Sequence, residues 1–429
     1  MTTISPAPGH VGNLSPTQER LLRALWAKLF EYFGEKPLDI NDASSQSDLA
    51  GLAKADSAAS EAGDSVDAAA AALEGVALTD SPKSTTSASS PKPAETLREA
   101  FWGVVQADHP DGMVLRFLRA RKWNVDRALE MMLTALRWRI ETQVDQIINE
   151  GEGGLDDSIL RKGISFLHGE DRKGRPIIIT RVCLHRKEDQ TVEEMTKFLV
   201  WTIETVRLVF KAPTETATII FDLSDFTLAN MDFNFVKILI RCLEAYYPES
   251  LGSLLIYNAP WIFSGIWRMI SPLLDSVVAS KINFVNNKKQ FTEFIDPEHL
   301  VDWLGGSSKF KYEYVGPAVD ENHRIQDAAG RQALLDQRSA LANELEAATR
   351  EWIKLCEAKD AEAVDVPKDN AEVKAIQDKR QKVVEEMRDV CQKLDPFIRA
   401  RTFYHRIGVI EGHGQIDWDP MFSNGYALK

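Results

Sequence analysis

Residues 246–282 read YYPESLGSLLIYNAPWIFSGIWRMISPLLDSVVASKI, and this stretch decides the fold. Leu254, Leu255, Ile256 and Tyr257 form a short apolar run between Gly252 and Pro260. A run of that length between breakers suits a strand buried on both faces. A helical pattern follows in which Trp261, Ile262, Phe263, Ile266, Trp267, Met269, Ile270, Leu273 and Leu274 leave almost no polar face. A helix apolar all round is buried, or it covers something apolar. This one is too short to span a bilayer. Two readings stand side by side: a lid over a lipid-sized cavity, and a central core helix. Asp275 then opens a turn that leads to the next strand at Ile282.

Outward from this stretch the pattern is α/β. Strands are expected at Gly163–Leu167, Ile177–Leu184, Ala217–Leu223, Gly252–Asn258 and Ile282–Val285. Helices are expected at Thr191–Lys211, Met231–Tyr247 and Trp261–Leu274, with short ones near Lys288–Phe294 and Pro297–Leu304. The strands carry apolar residues on both faces, so helices or a cavity must cover both sides of the sheet. Domain boundaries of 155–317 enclose this region.

Upstream, Ser15-Pro16 with Gln18 is a helix start, and Leu21, Leu22, Leu25, Leu29 and Phe33 recur at helical spacing. This first helix, 15–34, is separated from the rest of a small helical domain at 94–150 by residues 35–93. That insertion is rich in Ala, Ser, Asp, Thr and Gly, and its composition is that of a disordered linker. Downstream, 318–429 forms a helical extension. Leu341, Leu345, Ala348, Trp352 and Leu355 are spaced by four and three, and Val383, Met387, Val390 and Leu394 repeat the rhythm. Two antiparallel helices docked on the domain or on a partner fit this pattern. The segment from Phe403 to Pro420 is too mixed to assign.

With 44% hydrophobic and 27% charged residues, the composition is that of a soluble globular protein. A net charge of -13 argues against general nucleic-acid binding. The first residues show neither a basic n-region nor an apolar h-region, and no stretch is long enough to cross a membrane. Membrane contact is therefore expected to be peripheral. Cys183, Cys242, Cys356 and Cys391 lie far apart without metal-type pairing, which fits a reducing compartment. Cys183 and Cys242 read as small core residues.

Three constellations could carry chemistry. Arg116, Arg119 and Lys122 are spaced by three and form a basic stripe with Arg121 beside it, suited to phosphate or to a solvated face with local salt bridges. Glu249 and Lys281 each abut a buried strand, where an unpaired charge is costly. They read either as a pair beside a phosphate site or as a structural ion pair. Asp222 and Asp225 sit at a strand end, a ligand position or a capping position. His168 and His185 have no nucleophile partner and read as core or surface residues. No nucleophile elbow, phosphate loop, dinucleotide fingerprint or zinc-protease motif is present. No catalysis and no metal are expected.

The runs VLRFLRARKWNVDRAL (Val114 to Leu129), GRPIII (Gly174 to Ile179), IIFDLSDF (Ile219 to Phe226), YYPESLGSLLIYNAPWIFSGIWRMISPLLD and ASKI resemble the CRAL-TRIO family. More narrowly they are similar to the fungal Sec-fourteen-like phosphatidylinositol transfer proteins, over roughly residues 15–34 and 94–315. The resemblance implies a small N-terminal helical domain and then an α/β lipid-binding domain with a mixed sheet. An apolar gate helix closes it, here Pro260 through Asp275, and the helical hairpin is added at the C-terminal end. It implies that phosphatidylinositol is held by Arg121, Lys122, Glu249 and Lys281. Trp261, Phe263, Ile266, Trp267, Ile270 and Leu274 would belong to the gate.

Two departures from the family pattern stand out. The family's threonine three residues before that lysine is Val278, and its phosphatidylcholine-binding hydroxyls fall on Ala217 and Ile219. The implied protein is a non-classical lipid-transfer or lipid-presenting protein. It carries phosphatidylinositol and no other cofactor, binds phosphatidylcholine poorly, and takes a second, sterol-like or squalene-like apolar lipid. Its expected place is the cytoplasm, with transient contact to internal membranes such as the endoplasmic reticulum, endosome or lipid droplet. A carrier of an apolar ligand alone (a sterol precursor or haem) and an adaptor whose hairpin binds a protein partner are the competing readings.

Overall fold

The computed structural model describes residues 6–34, 96–361, 371–411 and 415–422, so the insertion expected over 35–93 lies outside the described residues. The first helix, Pro16–Tyr32, starts where the sequence places it. Ser15 Oγ accepts from Gln18 N at 3.2 Å, and Gln18 Oε1 accepts from Ser15 N at 2.9 Å. Thr96 and Glu99 make the same reciprocal cap for Leu97–Val105. With Pro110–Ala120 and Val125–Glu141 these helices bury Leu25, Leu29, Phe101, Leu115, Leu118 and Met132 in one core.

The hairpin helices, Ala328–Ala361 and Ala371–Ile398, belong to that same core. Leu345, Ala348 and Trp352 from one helix, with Val383 and Met387 from the other, pack against the N-terminal helices. Of the two docking possibilities open in the sequence, the apolar face lies on this chain itself. Arg380 fixes it, donating from Nη2 to Asp111 Oδ1 at 2.6 Å and from Nη1 to Asp111 Oδ2 at 3.0 Å. Trp26 Nε1 donates to the same carboxylate at 2.8 Å, and the Arg380 guanidinium lies 4.5 Å from the Trp352 ring centroid. Burial by itself would raise the Asp111 carboxyl, but Arg380 and His109 hold it below the usual carboxylate range.

The sheet has five strands in the order β1 (Ser165–Glu170), β2 (Pro176–Arg181), β3 (Ala217–Asp222), β4 (Leu251–Tyr257) and β5 (Ile282–Val285). β1 is antiparallel to β2, and the other pairs are parallel. The period of two divides the faces. Ile178, Ile219, Leu254 and Ile282 are register partners across four strands and face the cavity described below. Ile177, Ile179, Ile220, Leu255 and Val285 face the other way.

Part of that second face is covered by the segment that could not be assigned from sequence. Phe403, Tyr404, Val409, Trp418 and Met421 join the core behind the sheet. Leu167 N donates to Tyr404 Oη at 2.7 Å, and Trp418 Nε1 donates to Glu170 Oε1 at 2.7 Å. Buried Glu152 collects Arg406, the Tyr314 hydroxyl at 2.8 Å and Phe403 N at 2.5 Å. These bonds staple residues far apart in the chain to one side of β1.

Other boundaries moved. The helix expected over Met231–Tyr247 is Phe233–Arg241, followed by a π-helical turn at Cys242–Tyr246 in which Tyr247 N reaches back to Cys242 O at 2.7 Å. The Pro297–Leu304 helix is two 3₁₀ turns, Pro297–His299 and Asp302–Leu304. Cys242 is buried as expected, whereas Cys183 is only half-buried. His168 is a core residue stacked on Phe310. Asp222 caps a turn, accepting from Ser224 N at 3.0 Å.

Candidate functional site: an apolar cavity beneath a helix

A cavity of about 250 Å³ lies between the front face of the sheet, the helix Val192–Leu208, the helix Phe233–Arg241 and the helix Phe263–Ile270. Its floor is the isoleucine–leucine row of β2 to β5, with Ala217, Phe221 and Ile256 beside it. The floor hydroxyls are already engaged. Ser165 Oγ and Thr180 Oγ1 lie 3.0 Å apart and bond each other. Thr218 is on the far face, donating to Asp171 at 2.7 Å.

The helix Phe263–Ile270 closes this cavity, with a 3₁₀ turn at Ser271–Leu273 completing the segment expected over Trp261–Leu274. Phe263, Ile266 and Ile270 recur at helical spacing and are buried. Phe263, Trp267, Ile270 and Leu274 line the cavity. The helix is not apolar all round, as the sequence suggested. Ser264, Gly265 and Arg268 face outward, because only a stripe is needed to cover a cavity. Two large apolar side chains share that outer face, Trp261 at 86% exposure and Met269 at 54%. Trp267 meets Phe284 of the edge strand edge-to-face at 5.2 Å. Asn258, with φ of 53°, stands before the segment, and Asp275 N donates to Glu244 Oε1 at 2.6 Å after it. Glu244 belongs to the π-helical turn, and burial pushes its carboxyl above the usual carboxylate range, opposed in part by the bond from Asp275 N and by Arg121.

The wall opposite is held by charges. Arg139 donates to Glu204 Oε1 at 2.7 Å and to Asp145 at 2.5 Å. Tyr247 Oη donates to Glu204 Oε1 at 3.0 Å, and Arg207 joins Glu204 Oε2 at 3.1 Å and Asp108 at 3.0 Å. Burial by itself would raise Glu204, but Arg207 and Arg139 hold it at about 2. The network ties the helical region to the cavity wall.

The four expected headgroup residues lie outside the cavity lining, but their neighbours Pro248, Ser250, Val278 and Ile282 line it. Glu249 precedes β4 and Lys281 precedes β5, so both stand at the N-terminal edge of the parallel strands. Lys281 O accepts from Leu254 N at 2.9 Å. The two do not form an ion pair with each other. Glu249 pairs instead with Arg119, whose Nε is 3.6 Å from Glu249 Oε2. Arg119 also reaches Glu215 at 3.3 Å and donates to Gly9 O at 3.0 Å. Arg116 converges on the same Glu215, at 3.7 Å. The basic stripe is therefore broken. The helix ends at Ala120, and Lys122 and Trp123 take positive φ of 51° and 65°, which carries Lys122 off the helix face. Lys122 is exposed and Lys281 half-buried, and neither ammonium makes an ion pair among the described residues. Arg119 belonged to the basic cluster seen in the sequence, but its partnership with Glu249 had no signal there, because 130 positions separate them.

A residue without sequence signal stands at the opposite end. His185 follows β2 and its 3₁₀ turn, lines the cavity and is 5% exposed. Among the described residues neither of its ring nitrogens has a hydrogen-bond partner, and Nε2 lies 3.6 Å from Asp232 Oδ2.

Comparison with known proteins agrees with this architecture. A model of the CRAL/TRIO domain matches residues 160–306, and a model of the CRAL/TRIO N-terminal domain matches 73–134. A CRAL-TRIO domain-containing protein of Schizosaccharomyces pombe is 34% identical, covering 94% of this chain and 92% of that protein. The phosphatidylinositol transfer protein CSR1 of Eremothecium gossypii is 33% identical over 95% of this chain and 100% of its own length. The Sec14 cytosolic factor of Schizosaccharomyces pombe is 30% identical over 46% of this chain and 74% of its own. The chain belongs to the CRAL-TRIO family of lipid-binding proteins. No helix among the described residues is long and apolar enough to cross a membrane.

Proposed function

We propose that this CRAL-TRIO chain binds phosphatidylinositol with its acyl chains in the cavity and its headgroup at the N-terminal edge of the parallel strands. It then moves the lipid between membranes or presents it for phosphoinositide metabolism, without catalysis. The observation that carries this reading is an apolar cavity beside Lys122 and Lys281, whose ammonium groups make no ion pair among the described residues. Lys281 and Lys122 supply charge for a phosphate, Arg121 lies near Glu244 at the end of the gate segment, and Glu249 accepts from inositol hydroxyls. Arg119 orients Glu249 through their contact. A relative of nearly identical extent carries the name phosphatidylinositol transfer protein, which supports the reading.

Phosphatidylcholine is a poor ligand. Ala217 and Ile219 line the floor without hydroxyls, and Ser165 and Thr180 already bond each other. A phosphate desolvated there meets no free donor. Exposed Trp261 and Met269 on the gate are suited to a lipid interface, so release takes place at a membrane surface. Transfer of radiolabelled phosphatidylinositol and phosphatidylcholine between vesicles tests this directly, and equal transfer of the two lipids counts against it.

A second reading is favoured by one observation: none of the four headgroup residues lines the cavity, and Glu249 is already engaged by Arg119. The chain would then carry an apolar lipid alone. Extraction of the purified protein and mass spectrometry of its lipids separates the two.

A further inference from the structure

The cavity has a polar atom pair at the end away from the headgroup residues. β4 runs from Leu251 to Tyr257, so its two ends are about 20 Å apart at the usual rise per residue. Glu249 and Lys281 mark one end. Val182, His185, Asn230 and Asp232 line the cavity beyond the other. The backbone there is pinned: Asn230 Nδ2 donates to His185 O at 2.8 Å and to Cys183 O at 3.1 Å. Asp232 is fixed as well, since its Oδ1 accepts from Phe235 N at 3.0 Å and caps the helix Phe233–Arg241.

Between these fixed groups His185 is buried and, among the described residues, without a hydrogen-bond partner for either ring nitrogen. Its Nε2 stands 3.6 Å from Asp232 Oδ2, too far for a direct hydrogen bond. A buried donor left unmade is expensive, so the pair is expected to hold something. The spacing says what. An oxygen can sit about 2.8 Å from both atoms, accepting from the imidazole N–H and donating to the carboxylate. A hydroxyl does both. An ether or ketone oxygen cannot donate to Asp232, and a carboxylate or phosphate is repelled by it.

We propose that His185 and Asp232 form a site for the hydroxyl group of a neutral, otherwise hydrocarbon lipid lying in the cavity. This rests on the reading of the cavity as a lipid site and gives the chemistry of the second lipid: an alcohol, not a hydrocarbon and not an acid. Sterols and long-chain alcohols present the same group, and the test separates them.

The test uses the full chain stripped of lipid, with no phosphatidylinositol present, so its outcome is independent of the headgroup assignment. Binding of cholesterol and of 1-hexadecanol is compared with that of their methyl ethers, and hexadecanoate is measured at neutral pH. At least one alcohol binds about tenfold tighter than its ether, the factor expected of one buried hydrogen bond that the ether leaves unmade. Preference for the sterol or the linear alcohol identifies the source, and hexadecanoate binds more weakly than hexadecanol. In Asp232→Ser, which keeps an oxygen to cap the helix Phe233–Arg241 but removes the carboxylate that accepts the hydroxyl proton, the ratio of alcohol to ether falls to about one, while His185→Phe weakens alcohol and ether alike. Equal binding of alcohol and ether by the wild type overturns the proposal. So does an undiminished preference in Asp232→Ser, or hexadecanoate binding as tightly as the alcohol. A buried water bridging His185 and Asp232 would give the first of these results. The wild-type comparison needs no variant, so it decides the matter even if Asp232→Ser does not fold.

Discussion

Replacing Lys281 with Ala and Arg119 with Ala should separate ligand binding from folding at the mouth of the cavity. Lys281 is half-buried, and its ammonium makes no ion pair among the described residues, so its removal strands no partner. Its effect on stability should stay within about 0.5 kcal/mol, as for surface sites. If it holds the headgroup phosphate, the lost charge-assisted contact is worth about 1.5–3 kcal/mol, or roughly ten- to a hundredfold in affinity. Arg119 is the opposite case. It lies half-buried between Glu215 and Glu249 and donates to Gly9 O, so Arg119→Ala leaves two carboxylates and a carbonyl without it. That variant should lose about 1.5–3 kcal/mol of stability in addition to losing transfer. The assays are vesicle-to-vesicle transfer of radiolabelled phosphatidylinositol and thermal unfolding followed by circular dichroism. Lys281→Ala should transfer little and melt like the wild type, and Arg119→Ala should melt earlier. A Lys281→Ala protein with undiminished transfer would refute the headgroup assignment. An Arg119→Ala protein with unchanged Tm would refute the structural role given to that ion pair.

Restoring hydroxyls to the floor, as Ala217→Ser with Ile219→Thr, should raise phosphatidylcholine transfer above the low wild-type level; no gain in the transfer assay would show that the floor does not set headgroup choice. In hydrogen exchange, amides of Phe263–Ile270 should exchange faster than those of β3, and vesicles should widen the gap; equal protection with vesicles present would make that helix simply core. Glu244→Ala removes the acceptor for Asp275 N and should speed exchange in the same segment. Arg380→Ala leaves Asp111 buried without its cation and should cost about 3–5 kcal/mol in denaturant unfolding, a loss that a merely solvated hairpin would not show. Because the folded-state Asp111 carboxyl lies below its ordinary value, its contribution is complete above about pH 4. It disappears as pH falls through the lower folded value. The stability difference between wild type and Asp111→Asn should therefore shrink in acid, and a difference constant with pH would contradict the ion pair.

Periodicity made the sheet legible because its strands are short, apolar on both faces and bounded by breakers. The expected Ile282–Val285 strand and the apolar run at Leu254 were found in place. The helix over Met231–Tyr247 was legible as helical, but its π-helical end was not, since the turn depends on what packs against Tyr246 and Tyr247. Trp138 stacks on Tyr246 with centroids 4.1 Å apart, a contact made across the chain. The segment after Phe403 was illegible for a related reason. Its aromatics have no common period because they fill gaps behind the sheet one at a time. At the site, charge type and context marked Glu249 and Lys281, but charge alone could not choose Glu249's partner. His185 left no signal, because a histidine after a strand looks the same whether its ring meets water or an apolar cavity.

The distribution of polar ties around the cavity argues for which wall yields. On the wall side, Arg139, Arg207, Glu204, Tyr247, Asp108 and Asp145 are joined by charge-assisted bonds from 2.5 to 3.1 Å, and breaking one strands a buried charge. Behind the sheet, Tyr404, Trp418 and the Glu152 cluster fix the floor from the far side. The helix Phe263–Ile270 is held differently. Its inward contacts are apolar side chains over the cavity, and its tie to the wall is the bond from Asp275 N to Glu244 at its trailing end. Lifting that helix in water exposes apolar surface, which opposes opening. On the proposed reading the same surface, with Trp261 and Met269 already outward, would pass into acyl chains at a bilayer, which would remove most of that opposition. The walls that would strand charges resist opening in either medium, so among the described elements this helix, whose closure rests on apolar contacts, is the one expected to yield on the proposed contact with a membrane.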